Sequence, residues 1–184
     1  MSPFLIGLDL GKRRDYTAIA VLERQAISGG AFDLRHLERI ELNTSFTEVV
    51  DRVQELVNTA PLYLASTLIV DATGLGHPVL DLLLSRGLSP VAVCITSGTV
   101  VSQSGNSFSV PKRELIRALV RLLESCRLRL AADLPYRDEL LGELQNFRVQ
   151  INKKTGHDSY SARGSLRHDD IVLALALACW YGDR

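Results

Sequence analysis

The chain has 184 residues, of which 46% are hydrophobic and 23% charged, so it has enough apolar surface for one folded domain spanning 1–184 and lacks the composition of a disordered protein. Its 21 basic and 21 acidic side chains cancel, so a nucleic acid would have to be held by a local basic patch and not by overall charge. The three cysteines have no short ligand spacing and no apolar run could span a bilayer, so we expect a protein of a reducing cytoplasm with no disulfide framework, no zinc knuckle and no membrane partner.

The first part of the chain predicts three antiparallel strands. The apolar run Phe4 to Leu10 and the β-branched run Thr17 to Leu22 flank a polar turn, which is typical of a hairpin. A further strand over 32–40 follows a Ser-Gly-Gly turn, and its apolar residues alternate imperfectly. A meander, in which each strand pairs with the next, is the simplest arrangement of the three.

The rest of the chain alternates helices and strands, which indicates parallel strands joined by right-handed crossovers. The first predicted elements are a helix from the Ser45–Glu48 capping box to before Pro61, a strand at 67–71, a helix at 78–86 and a strand at 90–95. A mobile polar loop at 96–109 follows, and then helices at 111–127 and 138–147. A hairpin with arms 148–152 and 159–162 precedes a closing helix from 169 or 170 to about 180. This order predicts an α/β fold with a mixed central sheet, three antiparallel strands followed by parallel strands, flanked by helices.

Acidic residues interrupt or end three apolar runs. Asp9 lies in the first strand, Asp71 ends the fourth, and Asp169 and Asp170 open the closing helix. A buried carboxylate is costly unless it is paired or binds a metal, and carboxylate oxygens are the ligands that Mg²⁺ and Mn²⁺ prefer. A lone acid at a strand end is usually a turn or cap residue. We therefore predict a divalent-metal site if the acidic side chains of all three runs come together in the fold.

Five motifs, in chain order, give the sequence a specific resemblance. They are Gly7-Leu8-Asp9-Leu10-Gly11 with Asp15-Tyr16-Thr17-Ala18, then 70–76 (VDATGLG), 110–115 (VPKREL), 143–147 (ELQNF) and 168–172 (HDDIV). Together they resemble the nuclease domain of bacteriophage terminase large subunits, within the ribonuclease H-like superfamily, over nearly the whole chain. A complete large subunit also carries a packaging ATPase, whereas this sequence has no G-x-x-x-x-G-K-S/T phosphate loop. The resemblance thus implies an excised nuclease domain or a stand-alone relative.

The resemblance implies a ribonuclease H-like fold and a metal-dependent DNA endonuclease that cleaves concatemeric viral DNA during genome packaging. Two divalent cations, Mg²⁺ or Mn²⁺, would lie about 3.5–4 Å apart, with Asp9 as the central ligand and Asp71 and Asp170 beside it. Asp169 would be a further ligand or would orient the others, because consecutive helical residues point about 100° apart. The implied partners are double-stranded DNA, a packaging ATPase domain, a small terminase subunit and a portal. The implied location is the cytoplasm of a bacterial host, in a protein encoded by a phage or prophage.

Other residues could assist at such a site. His168 could act as a base or orient a ligand, or could simply be exposed before the helix. Asp15 is a turn former that could orient the loop beside Asp9. Local basic residues could contact the DNA backbone independently of sequence, and these candidates are Lys153, Lys154, Arg163, Arg167 and Lys112.

Three other functions remain open from the sequence. A Holliday-junction resolvase uses a similar acid set, usually as a dimer. An actin-like or sugar-kinase domain also begins with a strand followed by Asp-x-Gly, but normally needs a second domain and a second glycine-rich phosphate loop. A non-catalytic module of the same fold could bind DNA or dock onto a motor.

Overall fold

The computed structural model describes residues 2–11, 15–26, 30–74, 76–153 and 169–184, with the backbone alone at 76–77 and 146–153. Its strands are β1 Phe4–Asp9, β2 Thr17–Arg24, β3 Phe32–Ile40, β4 Ser66–Asp71, β5 Val91–Thr96, β6 Ser102–Ser104, β7 Ser107–Pro111 and β8 Leu128–Leu130. Its helices are α1 Phe46–Val57, α2 Gly76–Ser85, α3 Lys112–Glu124, α4 Arg137–Lys153 and α5 Asp170–Gly182.

The described strands form one mixed sheet in the order β6-β7-β5-β4-β1-β2-β3-β8. β1, β2 and β3 pair antiparallel, whereas β4 is parallel to β1 and β5 is parallel to β4. The predicted meander and the predicted parallel half are therefore both confirmed. β1 lies near the middle of the sheet, so the residue at its carboxyl end is approached by elements on both sides.

The alternation of side chains along β1 assigns its residues to two hydrophobic layers. Ile6 and Leu8 pack with α1 and α2 on one face, whereas Leu5 packs with α3, α4 and α5 on the other. Because side chains alternate along a strand, Gly7 and Asp9 share the face of Leu5. The acid in this strand therefore points to the α5 side of the sheet.

Helix α5 is the buried helix of that layer. Every residue from Asp170 to Trp180 is buried, and the helix packs on β1, β2 and α3. A helix that is apolar all round belongs in a core. Its close approach to β1 depends on Gly7, since a Cβ there would collide with the carbonyl oxygen of Ala174. Among the helices of the described residues, none has the length and apolar character to cross a membrane.

Two sequence predictions of secondary structure are wrong, and one strand was not predicted. The polar tract predicted as a mobile loop contains the antiparallel pair β6 and β7, and β7 extends the sheet beside β5. Helix α4 continues to Lys153 through the segment predicted as a hairpin arm, and residues 154–168, with the other arm, lie outside the described residues. The short edge strand β8, which pairs with β3, was not predicted. The strands β7 and β8 form by pairing with β5 and β3, which a local sequence pattern does not record.

The capping box that predicted α1 is confirmed. The Ser45 hydroxyl accepts from the Glu48 N–H, and the Glu48 carboxylate accepts from the Ser45 N–H. The helix is fastened to β3 by Arg52, whose Nε and Nη2 donate to the two carboxylate oxygens of Glu38 at 2.8 and 2.9 Å. Two parallel hydrogen bonds of this kind are the strongest form of a carboxylate–guanidinium pair.

Replacing Glu38 with Gln is expected to lower the free energy of unfolding by about 1 kcal/mol at pH 7, near the upper end for ion pairs at a surface. Hydrogen bonds from His36 and then Arg52 lower the pKa of Glu38 from 4.5 to about 2. A lowered pKa stabilises the fold above 4.5, and that stabilisation is lost as the pH falls towards 2. The difference in free energy of unfolding between variant and parent, measured from urea unfolding curves, should therefore shrink as the pH is lowered over this range. Glu55→Gln is the control, since the Glu55 side chain binds the same arginine but is 71% exposed; equal effects of the two substitutions would contradict the prediction.

Candidate metal centre

Asp9 and Asp71 lie side by side at the carboxyl ends of neighbouring parallel strands. The register pairs Leu8 with Val70, so the two acids follow at equivalent positions of β1 and β4. Asp9 is only 8% exposed. A side-chain hydrogen bond between Asp9 and Asp71 contributes to the raised pKa of Asp9, so the two side chains point towards each other on the α5 face.

The amino end of α5 brings a second pair of acids to the same edge of the sheet. Asp169 precedes the helix at its N-cap position and Asp170 is its first residue. Asp170 is 2% exposed, whereas Asp169 is half-buried. A carboxylate in the first turn of a helix is favoured by the helix dipole. Four acids from three elements are thus placed around the carboxyl end of β1.

The pKa of Asp9 depends on its burial and on the acids around it. Burial raises the pKa of Asp9 well above its usual range, and the charges of Asp71, Asp170 and Asp169 raise it further. Each of these effects penalises the ionised form. A divalent cation would remove the penalty, since it favours ionised carboxylates and supplies the charge that the cluster lacks. The chemistry of this donor set therefore fits Mg²⁺ or Mn²⁺.

Each acid beside Asp9 also has a partner from the protein. Asp71 Oδ1 accepts from the N–H and the hydroxyl of Thr73 at 2.8 and 2.5 Å. Asp169 Oδ2 accepts from Lys112 Nζ at 2.7 Å. Within the described residues, no three His, Cys, Asp or Glu side chains stand close enough together to hold an ion as they are. Coordination by all four acids would therefore require some of these side chains to turn away from their present partners.

Two charged residues that the sequence did not single out also reach the cluster. Arg39 of β3 pairs with Ala18, which pairs with Asp9, so the three lie in one row across the sheet. The small side chain of Ala18 leaves room for the Arg39 guanidinium, whose Nη2 lies 3.5 Å from Asp170 Oδ2. Glu143 of α4 accepts a hydrogen bond from the same Nη2 at 2.5 Å. Burial raises the pKa of Glu143 to about 7, against the opposing effects of the Val172 N–H and Arg39.

These two residues gave only weak signals in the sequence. Glu143 belongs to one of the five motifs but lies in a predicted helix with no acid beside it. Arg39 is one of several charged residues on a strand with one polar face. Their meeting depends on the register of β2 with β3, which includes a β-bulge between Val21 and Leu22.

No protein-family model matches the chain, and no curated protein matches it in sequence. Solved structures do match its fold. The large terminase nuclease from thermophilic phage G20c is 24% identical, with 96% of this chain and 81% of that chain covered and a TM-score of 0.61. The large terminase of bacteriophage HK97 is 13% identical, with 98% and 40% covered and a TM-score of 0.60. The nuclease domain of the bacteriophage SPP1 large terminase, solved with bound Mn, is 12% identical, with 98% and 86% covered and a TM-score of 0.59.

The fold is that of terminase large-subunit nucleases. The predicted α/β fold with a mixed central sheet flanked by helices is confirmed. This chain spans only 40% of the length of the HK97 large terminase, so the match concerns the fold of less than half of that larger protein.

The structure describes the side chains of two of the predicted assisting residues. Asp15 is exposed in the turn between β1 and β2, and its backbone carbonyl lies against Gly11. Lys112 begins α3 and belongs to the cluster through Asp169. The side chains of the remaining candidates lie outside the part of the chain that the structure describes; these are His168, Lys153, Lys154, Arg163 and Arg167.

Proposed function

We propose that this chain is a divalent-metal-dependent DNA endonuclease of the terminase type. The observation that carries the proposal is the position of Asp9, a buried carboxyl at the end of the central strand whose pKa is raised by burial and by Asp71, Asp170 and Asp169. A buried acid whose pKa is strongly perturbed by neighbouring acids is typical of a functional site. The terminase nuclease fold and the Mn bound in the SPP1 domain support the same assignment.

Asp9, Asp71 and Asp170 would hold the cations, with Asp169 as a further ligand or an orienting residue. Two bound cations would lower the pKa of an attacking water and stabilise the charge on the leaving oxygen of a phosphodiester. Asp9 is the acid whose pKa the other three raise, so it would be the central ligand. Lys112 is 25% exposed and would provide positive charge for a DNA phosphate at the edge of the site.

By the same likeness to terminase nucleases, the substrate would be concatemeric viral DNA. The packaging ATPase, the small terminase subunit and the portal would be partners. The basic residues between α4 and α5 would contribute contacts to the DNA backbone, and such contacts weaken as salt is raised.

Nicking of supercoiled plasmid DNA tests the activity. We expect relaxed and linear products with Mn²⁺ or Mg²⁺, and none with EDTA. A four-way junction should be cleaved no faster than a linear duplex of the same length; preferential cleavage would instead identify a junction resolvase. Binding of DNA in a gel-shift assay without nicking in either metal would contradict the proposal and identify a non-catalytic DNA-binding module.

A further inference from the structure

The amino end of α5 is closed by a side chain from another helix. Asp169 at the N-cap position makes no side-chain cap hydrogen bond, and its carboxylate is bound by Lys112. Glu143 of α4 instead accepts a hydrogen bond from the Val172 N–H at 3.0 Å. Val172 is the third residue of α5, and its N–H is one of those that a helix leaves without a partner inside the helix. Glu143 therefore caps the helix end that carries Asp170.

Glu143 also holds the guanidinium that lies beside Asp170. Its second oxygen accepts from Arg39 Nη2 at 2.5 Å, while the same nitrogen is 3.5 Å from Asp170 Oδ2. The side chains of Glu143, Arg39 and Asp170 are only 8%, 14% and 3% exposed. On its other side the Arg39 guanidinium lies 4.8 Å from the centre of the Tyr16 ring. Arg39 is thus held by a closer contact with Glu143 than with Asp170.

We propose that Glu143 is a positioning residue for Asp170: it caps α5 and keeps the Arg39 guanidinium bound to itself, beside the Asp170 carboxylate. This inference rests on the proposed function, because it takes Asp170 to be a ligand of a divalent cation. A buried guanidinium needs an anionic partner. When Glu143 is replaced by a neutral residue, Arg39 pairs with Asp170 and competes with the cation for that carboxylate.

The Mn²⁺ dissociation constant, measured by electron paramagnetic resonance without DNA, tests the proposal. Glu143→Gln is expected to weaken Mn²⁺ binding about 10- to 100-fold, the usual range for a residue that supports a metal ligand. The Gln side-chain oxygen can still accept from the Val172 N–H, so hydrogen exchange at this amide should not change. Glu139→Gln, which alters an exposed acid one turn earlier in α4, is the matched control and should bind Mn²⁺ as the parent does.

A double variant separates competition by Arg39 from a general loss of structure. Arg39→Met combined with Glu143→Gln removes the buried guanidinium together with its partner, and similar volumes limit the loss of packing. We expect its Mn²⁺ affinity to return close to that of the parent chain. Glu143→Ala should in addition accelerate hydrogen exchange at Val172 while amides in the middle of α5, such as that of Leu177, stay protected.

Two outcomes are distinguishable from failure of the endonuclease proposal. If the parent binds Mn²⁺ and Glu143→Gln binds it equally well, Glu143 has no positioning role, whatever the cleavage assay shows. If the double variant binds no better than Glu143→Gln, competition by Arg39 is refuted. A parent chain that binds Mn²⁺ but does not nick DNA overturns the endonuclease proposal, and the same affinities still support or overturn the role of Glu143.

Discussion

Replacing Asp9 with Asn is expected to lower kcat for plasmid cleavage by a factor of about 10³ or more. The charge stabilisation supplied by a metal ion is worth several kcal/mol, and about 4 kcal/mol corresponds to a factor of about 10³. Burial and the charges of the other three acids oppose the ionised form of Asp9, so this carboxylate needs a cation. The loss should appear with both Mn²⁺ and Mg²⁺ in single-turnover assays.

The same substitution is expected to stabilise the metal-free fold. Burial and neighbouring acids hold the pKa of Asp9 above its unfolded value, so at neutral pH the folded chain bears a penalty that the unfolded chain does not. In the parent this penalty diminishes as the pH falls through the raised pKa, whereas Asn cannot ionise and bears none. In EDTA at pH 8 we expect Asp9→Asn to raise the Tm by a few degrees, since 1 kcal/mol corresponds to about 2–4 °C for a chain of this size.

Asp51→Asn is the matched control, because Asp51 is a surface acid, 49% exposed and paired with Arg86. It should leave cleavage unchanged and should not raise the Tm in EDTA. Addition of Mn²⁺ should raise the Tm of the parent and of this control, but much less that of Asp9→Asn, because binding to the folded state alone stabilises it. Retained cleavage in a folded Asp9→Asn variant would refute the metal-centre assignment.

Replacing Gly7 with Ala is expected to lower the free energy of unfolding by about 3 kcal/mol, the upper part of the usual range for overpacking. The added Cβ would overlap the carbonyl oxygen of Ala174, with the carbonyl carbon at 2.9 Å and the N of Ala178 at 3.2 Å. These are backbone atoms of α5, so relief requires the whole helix to move. A fall in Tm of about 6–12 °C would correspond to this loss. Cleavage should fall as well, because α5 carries Asp170.

Gly142→Ala is the control for the loss of glycine itself. Nothing lies within 4 Å of a Cβ added at Gly142 of α4, so Ala should stabilise the helix by about 0.5–1 kcal/mol. The two substitutions are therefore expected to change the Tm in opposite directions. A Gly7→Ala variant as stable as the parent would show that α5 does not approach β1 as closely as the structure indicates.

Much of the fold could be predicted because it depends on local patterns. The apolar runs before Asp9 and Asp71 mark strands, and the Ser45–Glu48 spacing marks the start of a helix, since side chain and backbone a few residues apart satisfy one another. The position of β1 near the middle of the sheet follows from the order of strands and helices. The acids of the candidate site could be chosen for a similar reason, because each one breaks an apolar run where an unpaired charge would be unfavourable.

The contacts around those acids depend on register and helix packing, which no local pattern records. Arg39 lies in one row with Asp9 because the pairing of β2 with β3 places Ala18 between them, and a shift by one residue would turn the guanidinium to the opposite face. Glu143 meets α5 only because α4 packs near the amino end of that helix. The acids that interrupt apolar runs thus predicted a compensating cation near Asp9, whereas the partners that the protein itself offers to Asp169 and Asp170 were decided by packing between elements far apart in the chain.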